Sequence, residues 1–404
     1  MNTAKTARKP VNRRRVLIIV ENLPLPFDRR VWQEAKALVA AGYQVSIICP
    51  KGWGYEKSYE LLEEVHIYRH PLPIEADSAL GYAMEYSLSL AMEFALAVRI
   101  ALTRGFDVIQ ACNPPDTIFL IGAFFKLFGK KFIFDHHDIN PELYEAKFAR
   151  QDIFYKIMRL LERLTFATAT VSIATNDSFK RIAIERGGMA PDRVYVVRSG
   201  PDLTKIQRLP PRDELRKGRR YMVGYVGVIG KQEGIDLLLE AVKYIRTGLK
   251  RDDIQFTIVG DGTEVPALRE MSKQLGIDDC VEFTGRLSGA PLWEILSTSD
   301  VCVSPDRVNG MNDKSTMNKI LEYMALSKPS VQFELTEGRF SAGESSLYAA
   351  PNDTKDFAHK LCELLDNPER RARMGEIGRR RVEDELAWHH QLKPLLDAYE
   401  RAFE

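Results

Sequence analysis

VCVSPDRVNGMNDKSTMNKILEYMALSKPSV, residues 301–331, decides how the rest of the chain is read. It reads strand, loop, helix, loop, strand. Met317, Ile320, Leu321, Met324 and Ala325 recur at i, i+3, i+4, i+7 and i+8, one face of a helix. Ser315 and Thr316 stand just before that face, in the position of caps. Backbone amides at such a helix start, with the helix dipole behind them, hold a phosphate. Asn318 and Glu322 lie one turn apart and off the apolar face, and Lys314 and Lys319 bring positive charge close by. This outlines a site with a diphosphate on the amides and a hydroxyl-rich group on Glu322. A capped surface helix with an exposed glutamate carries the same signature.

The same alternation recurs on both sides. Residues 15–21, RVLIIVE, are a buried parallel strand by composition. A proline-bearing loop at 23–27 leads to DRRVWQEAKALVAAG, a helix with Asp28 as N-cap that ends at Gly42, and residues 43–50 form the next strand. A β-α-β unit of this kind predicts an α/β protein with a parallel sheet. Strands are expected at 65–69, 106–111, 131–134, 170–174 and 194–198, and helices at 79–104, 117–129 and 177–186. Residues 200–218 hold Pro201, Pro210 and Pro211 amid dense charge, the composition of a linker. The alternation then restarts, with strands at 221–228, 254–259, 281–283 and 331–334, and helices at 235–247, 264–275, 291–298, 354–365, 368–381 and 386–403. The organisation predicted is a flexible basic arm (1–14), a first lobe (15–200), a linker (201–218), a second lobe (219–385) and a C-terminal helix (386–404).

Ligands of open α/β sheets bind outside the C-terminal strand ends. That places Asp116, in the turn Asn113-Pro-Pro-Asp116, and His136, His137, Asp138 and Glu142, in DHHDINPELYEAKF, where chemistry is expected. Local hydrogen bonds and caps account for such a His-His-Asp turn equally well.

Composition narrows the class. The chain has 404 residues, 45% hydrophobic, 28% charged, with net charge +1, which suits two globular domains and gives no overall case for nucleic-acid binding. Residues 1–15, MNTAKTARKPVNRRR, carry only basic charge and lack the apolar stretch of a secretory signal. The five cysteines are scattered, with no C-x-x-C, which argues for a reducing compartment and against a zinc site. No run of eighteen uncharged apolar residues exists, so no membrane span is expected. Residues 118–132, IFLIGAFFKLFGKKF, followed by Lys156, Arg159 and Arg163, suit either helices packed on a sheet or a basic apolar surface resting on anionic lipid.

Taken in order, GYVGVIGKQEGIDLLLEA, FTIVGDGTEVPALREMSKQLGI, VEFTGRL, SDVCVSPD, NKILEYMALSKPSV and GRRRVEDELAWHHQLKPLLDAYE resemble the second lobe of the retaining glycosyltransferases of family 4. PFDRRVWQEAKALVAAGYQVSIICP, DHHDINPELYEAKF and VVRSGPDL resemble the branch associated with bacterial surface polysaccharides. The resemblance implies the GT-B fold: two Rossmann-like lobes whose parallel sheets face a central cleft, with the last helix returning to the first lobe. It implies a nucleoside-diphosphate sugar as donor, a UDP-sugar ahead of a GDP-sugar, and transfer with retention to a glycan or lipid-linked glycan, without metal or cofactor. It also implies a cytoplasmic protein, peripheral on the inner face of the membrane.

Glu322 matches the second of the family's two glutamates, eight positions apart, which holds the ribose. The first, which in the family contacts the donor sugar, falls on Lys314, and Asp313 next to it is a candidate substitute. The family's basic pair after the first strand of this lobe falls on Val228 and Glu233; Gly227 and Lys231 lie in the same loop. Arg286 falls where the base is read, and Ser315, Thr316, Asn318 and Lys319 at the helix that meets the diphosphate. In the first lobe the glycine-rich loop is replaced by NLPLPFDRR, which offers Arg29 and Arg30. His137 matches the histidine near the reacting sugar, Asp138 would orient the acceptor, and Asp116 and Glu142 lie on the acceptor side.

Two other classes use similar parts. A nucleotide-sugar 2-epimerase of the same fold needs carboxylates such as Asp116, Asp138 and Glu142, and a non-catalytic nucleotide-sugar-binding protein would tolerate Lys314 and Glu233. A nicotinamide oxidoreductase is disfavoured, because Gly224, Gly227 and Gly230 are spaced G-x-x-G-x-x-G.

Overall fold

The computed structural model describes residues 14–72 and 79–404, with the backbone alone for 79–85. The expected basic arm lies outside these residues apart from Arg14, whose guanidinium sits 4.0 Å over the Phe403 ring. The chain forms two compact units, residues 1–197 with 392–404, and residues 198–391.

The first unit is built on an eight-stranded sheet ordered β3-β4-β2-β1-β5-β6-β7-β8. The strands are β1 (Arg15–Val20), β2 (Gln44–Pro50), β3 (Tyr59–Leu62), β4 (Val65–His70), β5 (Val108–Cys112), β6 (Lys131–His136), β7 (Val171–Ala174) and β8 (Val194–Val196). All pair in parallel except β3, an antiparallel edge strand. Sequence periodicity misses β3, because YELL is short and polar on one side. Its helices are α1 (Arg29–Ala40), α2 (Ala79–Thr103), α3 (Phe119–Lys126), α4 (Asn140–Phe148), α5 (Ile153–Thr168) and α6 (Asp177–Arg181). Asp28 caps α1 as expected, its carboxylate accepting from the Val31 N–H at 3.1 Å. The helix predicted at 117–129 is a 3-10 turn, Asp116–Ile118, followed by the shorter α3.

The second unit has six parallel strands ordered β11-β10-β9-β12-β13-β14. They are β9 (Tyr221–Val226), β10 (Ile254–Val259), β11 (Val281–Gly285), β12 (Val301–Ser304), β13 (Ser330–Phe333) and β14 (Ser346–Ala349). The helices are α7 (Ile235–Thr247), α8 (Val265–Gln274), α9 (Ala290–Thr298), α10 (Asn318–Ala325), α11 (Thr336–Ala342), α12 (Thr354–Leu365) and α13 (Pro368–Arg381). The last helix, α14 (Trp388–Phe403), begins in this unit and ends in the first. Both sheets are α/β structures of the expected class. Each core is the sheet's own apolar residues against its helices, for instance Val223, Tyr225, Ile258 and Val303 against Leu238, Val242 and Leu361. All five cysteines are buried and free.

Candidate functional site

An open parallel sheet has a crevice where strand order reverses, because the connections on either side leave in opposite directions. In the second unit that point lies between β9 and β12, at their C-terminal ends. The loops that meet there are packed too closely for side chains. A Cβ on Gly260 would lie 1.8 Å from the Gly227 carbonyl oxygen, one on Gly262 2.3 Å from that of Ile229, and one on Gly234 2.1 Å from that of Pro305. Gly260 also has φ +149°, a conformation that disfavours any residue with a Cβ. Asn312, fully buried and unforeseen from the sequence, ties the loops together by donating to the carbonyls of Gln232 (2.9 Å) and Arg307 (2.8 Å). Gly260→Ala should therefore lower stability by at least about 1–3 kcal/mol from backbone strain alone, read as a fall in Tm, and displace the Gly227 loop.

At this crevice the Lys319 ammonium donates to both carboxylate oxygens of Asp306, at 2.7 and 2.9 Å, and lies 5.0 Å from the Tyr225 ring centroid. The Lys319 and Asp306 side chains are only 9% and 2% exposed. Burial, the largest single influence, lowers the Lys319 pKa, but the Asp306 charge and hydrogen bond together with Tyr225 and Glu233 outweigh it and the pKa is raised. Ser304 donates to the same carboxylate. Tyr225 donates its hydroxyl proton to the Val228 carbonyl at 2.9 Å. Glu233 accepts from the Gly230 N–H at 3.0 Å; burial raises its pKa, against the pull of Lys319. Lys319, read from the sequence as positive charge near the helix start, is thus the buried centre of a charge cluster. Asp306 and Tyr225 escaped the sequence reading. The signal for them was a carboxylate and a phenol at the ends of buried strands, where polar groups must be paired.

α10 departs from the expected capping. It begins at Asn318, with Met317 at the N-cap position and no side-chain cap. Ser315 donates instead to the Met311 carbonyl at 2.9 Å, so the first amides of α10 are left uncovered by Ser315. Asp313, expected beside the sugar, accepts from the backbone N–H (2.8 Å) and hydroxyl (3.1 Å) of Thr336 and so holds the start of α11. Asn318 is exposed, Glu322 half-buried one turn on, and Lys314 and Thr316 half-buried before the helix. Lys231 and Arg286 are exposed on the loops after β9 and β11.

In the first unit strand order reverses between β1 and β5, and a second polar network lies at that point. Arg30, buried on α1, donates to Asp135 Oδ1 at 2.9 Å and to the Val197 carbonyl at 2.7 Å, and lies 3.1 Å from Glu34 Oε1. Gln110 donates to Glu34 (2.7 Å) and Asp135 (2.9 Å) and accepts from the Tyr399 hydroxyl of α14. His137 Nε2 lies 2.7 Å from Asp135 Oδ2 and 3.0 Å from Arg30 Nε. Burial opposes a charge on His137, yet Asp135 outweighs it and raises the ring's pKa. Burial and the Asp135 charge push Glu34 up to about 8. Burial works against the Asp135 carboxylate too, but Arg30 and His137 hold its pKa well below the ordinary value. Cys112, Asp135 and His137 bring three donor atoms within 4.8 Å of one another, but the Arg30 guanidinium already occupies the space beside two of them.

Asn113 positions the turn, its Oδ1 accepting from the N–H of His137 (2.7 Å) and Asp138 (3.2 Å). Its amide donates to Asp116 at 2.9 Å, as does Asn140 at 2.8 Å. Burial nonetheless raises Asp116 to about 6. The half-buried Asp138 carboxylate has no hydrogen-bond partner among the described residues, and burial raises its pKa, partly offset by His137. Arg29 is exposed, whereas Arg30 is buried in the network.

Two sequence candidates are packed inside the first unit. Glu142 is buried against Arg186, at 2.6 and 3.2 Å, in an ion pair that also takes in Glu162. His136 is fully buried among Phe134, Phe166 and Phe179, at 4.9–5.2 Å between centroids, and neither ring nitrogen has a hydrogen-bond partner among the described residues. Residues alternate across a strand, so His136 shares the face of Phe134 while His137 follows Asp135. Burial, reinforced by the Arg186 charge, holds the His136 pKa at about 3. An unfolded histidine binds a proton below about pH 6.5. The stability tied to His136 is therefore complete above that pH and lost as pH falls toward about 3, by up to about 1.4 kcal/mol per pH unit. His136→Phe should leave Tm at neutral pH within about 4 °C of the parent and flatten its decline below about pH 6.5, as thermal melts across that range would show.

Two family profiles match the chain. One described as Glycosyltransferase Family 4 matches residues 28–205, and one described as Glycosyl transferases group 1 matches residues 220–367. Similar curated proteins include the alpha-D-kanosaminyltransferase of Streptomyces kanamyceticus, 29% identical over 43% of this chain and 44% of that protein. The D-inositol 3-phosphate glycosyltransferase of Thermomonospora curvata is 29% identical over 63% and 62%. The chain spans about half the length of the curated relatives it matches, between 44% and 62% in these two cases. Among solved structures, a sucrose-phosphate synthase from Thermosynechococcus elongatus superposes with a TM-score of 0.79 at 18% identity, over 97% of this chain and 99% of that one. HepE of Anabaena, solved with UDP and glucose, superposes with a TM-score of 0.74 at 14% identity, over 96% and 99%. These likenesses establish the GT-B fold.

Proposed function

This chain belongs to glycosyltransferase family 4, and we propose that it moves a sugar from a nucleoside diphosphate to an acceptor hydroxyl, with retention and without a metal ion. The observation that carries the reading is the crevice between β9 and β12, where Lys319, held charged by Asp306, stands at the start of α10, whose N-cap Met317 makes no side-chain cap, with Glu322 one turn on. Glycosyl transfer passes through an oxocarbenium-like state while negative charge gathers on the departing diphosphate. The amides of α10 and the Lys319 cluster stabilise that charge. Glu322 takes the ribose hydroxyls, and Gly227, Lys231, Lys314 and Arg286 line the donor, a UDP-sugar before a GDP-sugar; HepE, of the same fold, was solved with UDP. The bond from the anomeric carbon to the phosphate oxygen breaks as the acceptor oxygen bonds that carbon from the same side, and the acceptor proton passes to the leaving phosphate. His137, oriented by Asp135 and Arg30, and Asp138 position the acceptor hydroxyl, with Asp116 beside them. The acceptor class is a glycan or a lipid-linked glycan.

The test is nucleoside-diphosphate release from UDP- and GDP-sugars, with and without EDTA, and the anomeric configuration of the product by NMR. Release that is acceptor-dependent and EDTA-insensitive, with an axial product from an axial donor, agrees with the proposal. Inversion, or dependence on added metal, contradicts it. Turnover of the nucleotide sugar to its epimer without acceptor would favour the epimerase reading instead.

A further inference from the structure

We propose that the outward face of α2, α3 and α5 in the first unit docks on an anionic phospholipid bilayer. Right-handed crossovers put these three helices on one side of the sheet. They touch one another: Phe94 of α2 and Phe124 of α3 have ring centroids 5.0 Å apart, and Lys126 of α3 donates to the Thr168 carbonyl of α5 at 2.6 Å.

The patterning of α5 is inverted for a helix packed on a sheet. Ile153, Ile157, Leu160 and Leu164, at i, i+4, i+7 and i+11, are all exposed, Ile153 at 62% and Leu160 at 54%. The polar Glu162 and Thr165 point inward. α3 and the turn after it add Leu120, Phe124, Leu127 and Phe128, with Leu127 82% exposed. In α2 the stretch Tyr86–Thr103 has a mean hydropathy of 1.3 yet is only 22% buried. By length and composition this one helix among the described residues would suffice to cross a membrane, a stretch the sequence reading set aside. It lies along the sheet instead, turning Ser89, Glu93, Ala97 and Ile100 inward and Leu88 and Leu102 outward.

Charge chooses the occupant. Across residues 86–103, 116–131 and 153–168 the only carboxylates are Glu93, Asp116 and Glu162, all buried. The cations Arg99, Lys126, Lys130, Lys156, Arg159 and Arg163 belong to the same helices and turns. Within these spans the face carries cations and no exposed carboxylate, and the partly exposed Asp152 that caps α5 is paired with Arg150 at 3.0 Å; such a face complements an anionic bilayer, into which the apolar groups insert and over which the basic groups rest. A second copy of the same face would set like charges against one another.

The test is flotation of the whole protein with phosphatidylcholine vesicles, with and without about 30% phosphatidylglycerol, at about 50 and 500 mM salt. It requires no donor and no turnover, so it stands or falls separately from the transferase reading. Binding is expected to anionic vesicles, weakened by salt. The triple variant Lys156→Gln, Arg159→Gln, Arg163→Gln should bind about a hundredfold more weakly, at roughly 1 kcal/mol per surface cation. Ile157→Ser with Leu160→Ser should also weaken binding, with an unchanged circular dichroism spectrum. Equal binding to neutral and anionic vesicles, no vesicle binding at low salt, or a dimer in light scattering that these substitutions dissolve without any vesicle binding would each overturn the proposal.

Discussion

Lys319→Met is expected to lower the melting temperature of the second unit by about 6–20 °C and to abolish transfer. Removing one partner of a buried ion pair costs about 3–5 kcal/mol, because the other charge is left unpaired in a poor solvent. For a unit of this size each kcal/mol is worth about 2–4 °C. Among the described residues Asp306 has no second cation to turn to, since its other close partner is the Ser304 hydroxyl and Glu233 is a carboxyl group like itself. The raised Lys319 pKa means that this stability is fully present below the unfolded value, about 10.5, and is lost only as pH rises beyond it. The loss in the variant should thus be the same at about pH 6 and pH 9. Adding Asp306→Leu removes both charges and should recover much of the melting temperature without recovering transfer. A single variant that melts like the parent would show that the pair is not a buried charge couple, and recovery of transfer in the double variant would remove Lys319 from the chemistry.

Asp135→Asn should be comparably costly in the first unit. The carboxylate accepts from Arg30, Gln110 and His137 at 2.7–2.9 Å and is fully buried. An amide of the same shape keeps one acceptor oxygen and turns an NH2 group toward a donor, which leaves Arg30 only Glu34, at 3.1 Å, to balance its charge. The expected loss is about 3–5 kcal/mol. The second readout separates positioning from structure. Without Asp135 the His137 pKa should fall from its raised value, seen as an upfield-shifted titration of that ring by NMR. kcat should drop by about 10²–10⁴ if the ring serves the acceptor hydroxyl, whereas KM for the donor should stay near the parent value. An unshifted His137 titration would contradict the geometry, and an unchanged kcat in the folded variant would remove the network from catalysis.

Much of this architecture was legible because it rests on local patterns. Apolar runs such as RVLIIV and IQFTIV bury on both faces and pair in parallel, and the apolar stripe of 317–325 places α10 within one residue. The start of α10 was misread because Ser315 and Thr316 match the composition of caps, while the loop locked by Asn312 turns Ser315 back to Met311. α5 escaped because periodicity does not say which face of a stripe is buried. The polar networks were hidden for a related reason. Glu34, Gln110, Asp135 and Asp306 sit inside apolar segments, where a sequence reading counts hydrophobic neighbours rather than asking what partner a buried charge requires. Strand parity would have separated His136 from His137.

The most direct test of the donor-site claim is hydrogen exchange of the intact protein with UDP, GDP, ADP and dTDP in turn, without metal, alongside thermal melts. A ligand that binds only the folded state raises the midpoint, by about 2.7 kcal/mol at a hundredfold excess over Kd. One nucleoside diphosphate should raise Tm and slow exchange in residues 226–233, 305–307 and 318–322, and Glu322→Gln should shrink both ligand-induced effects relative to the variant's own unliganded state. Protection that falls elsewhere in the second unit, or no shift with any of the four, would contradict the assignment of the donor to the β9–β12 crevice.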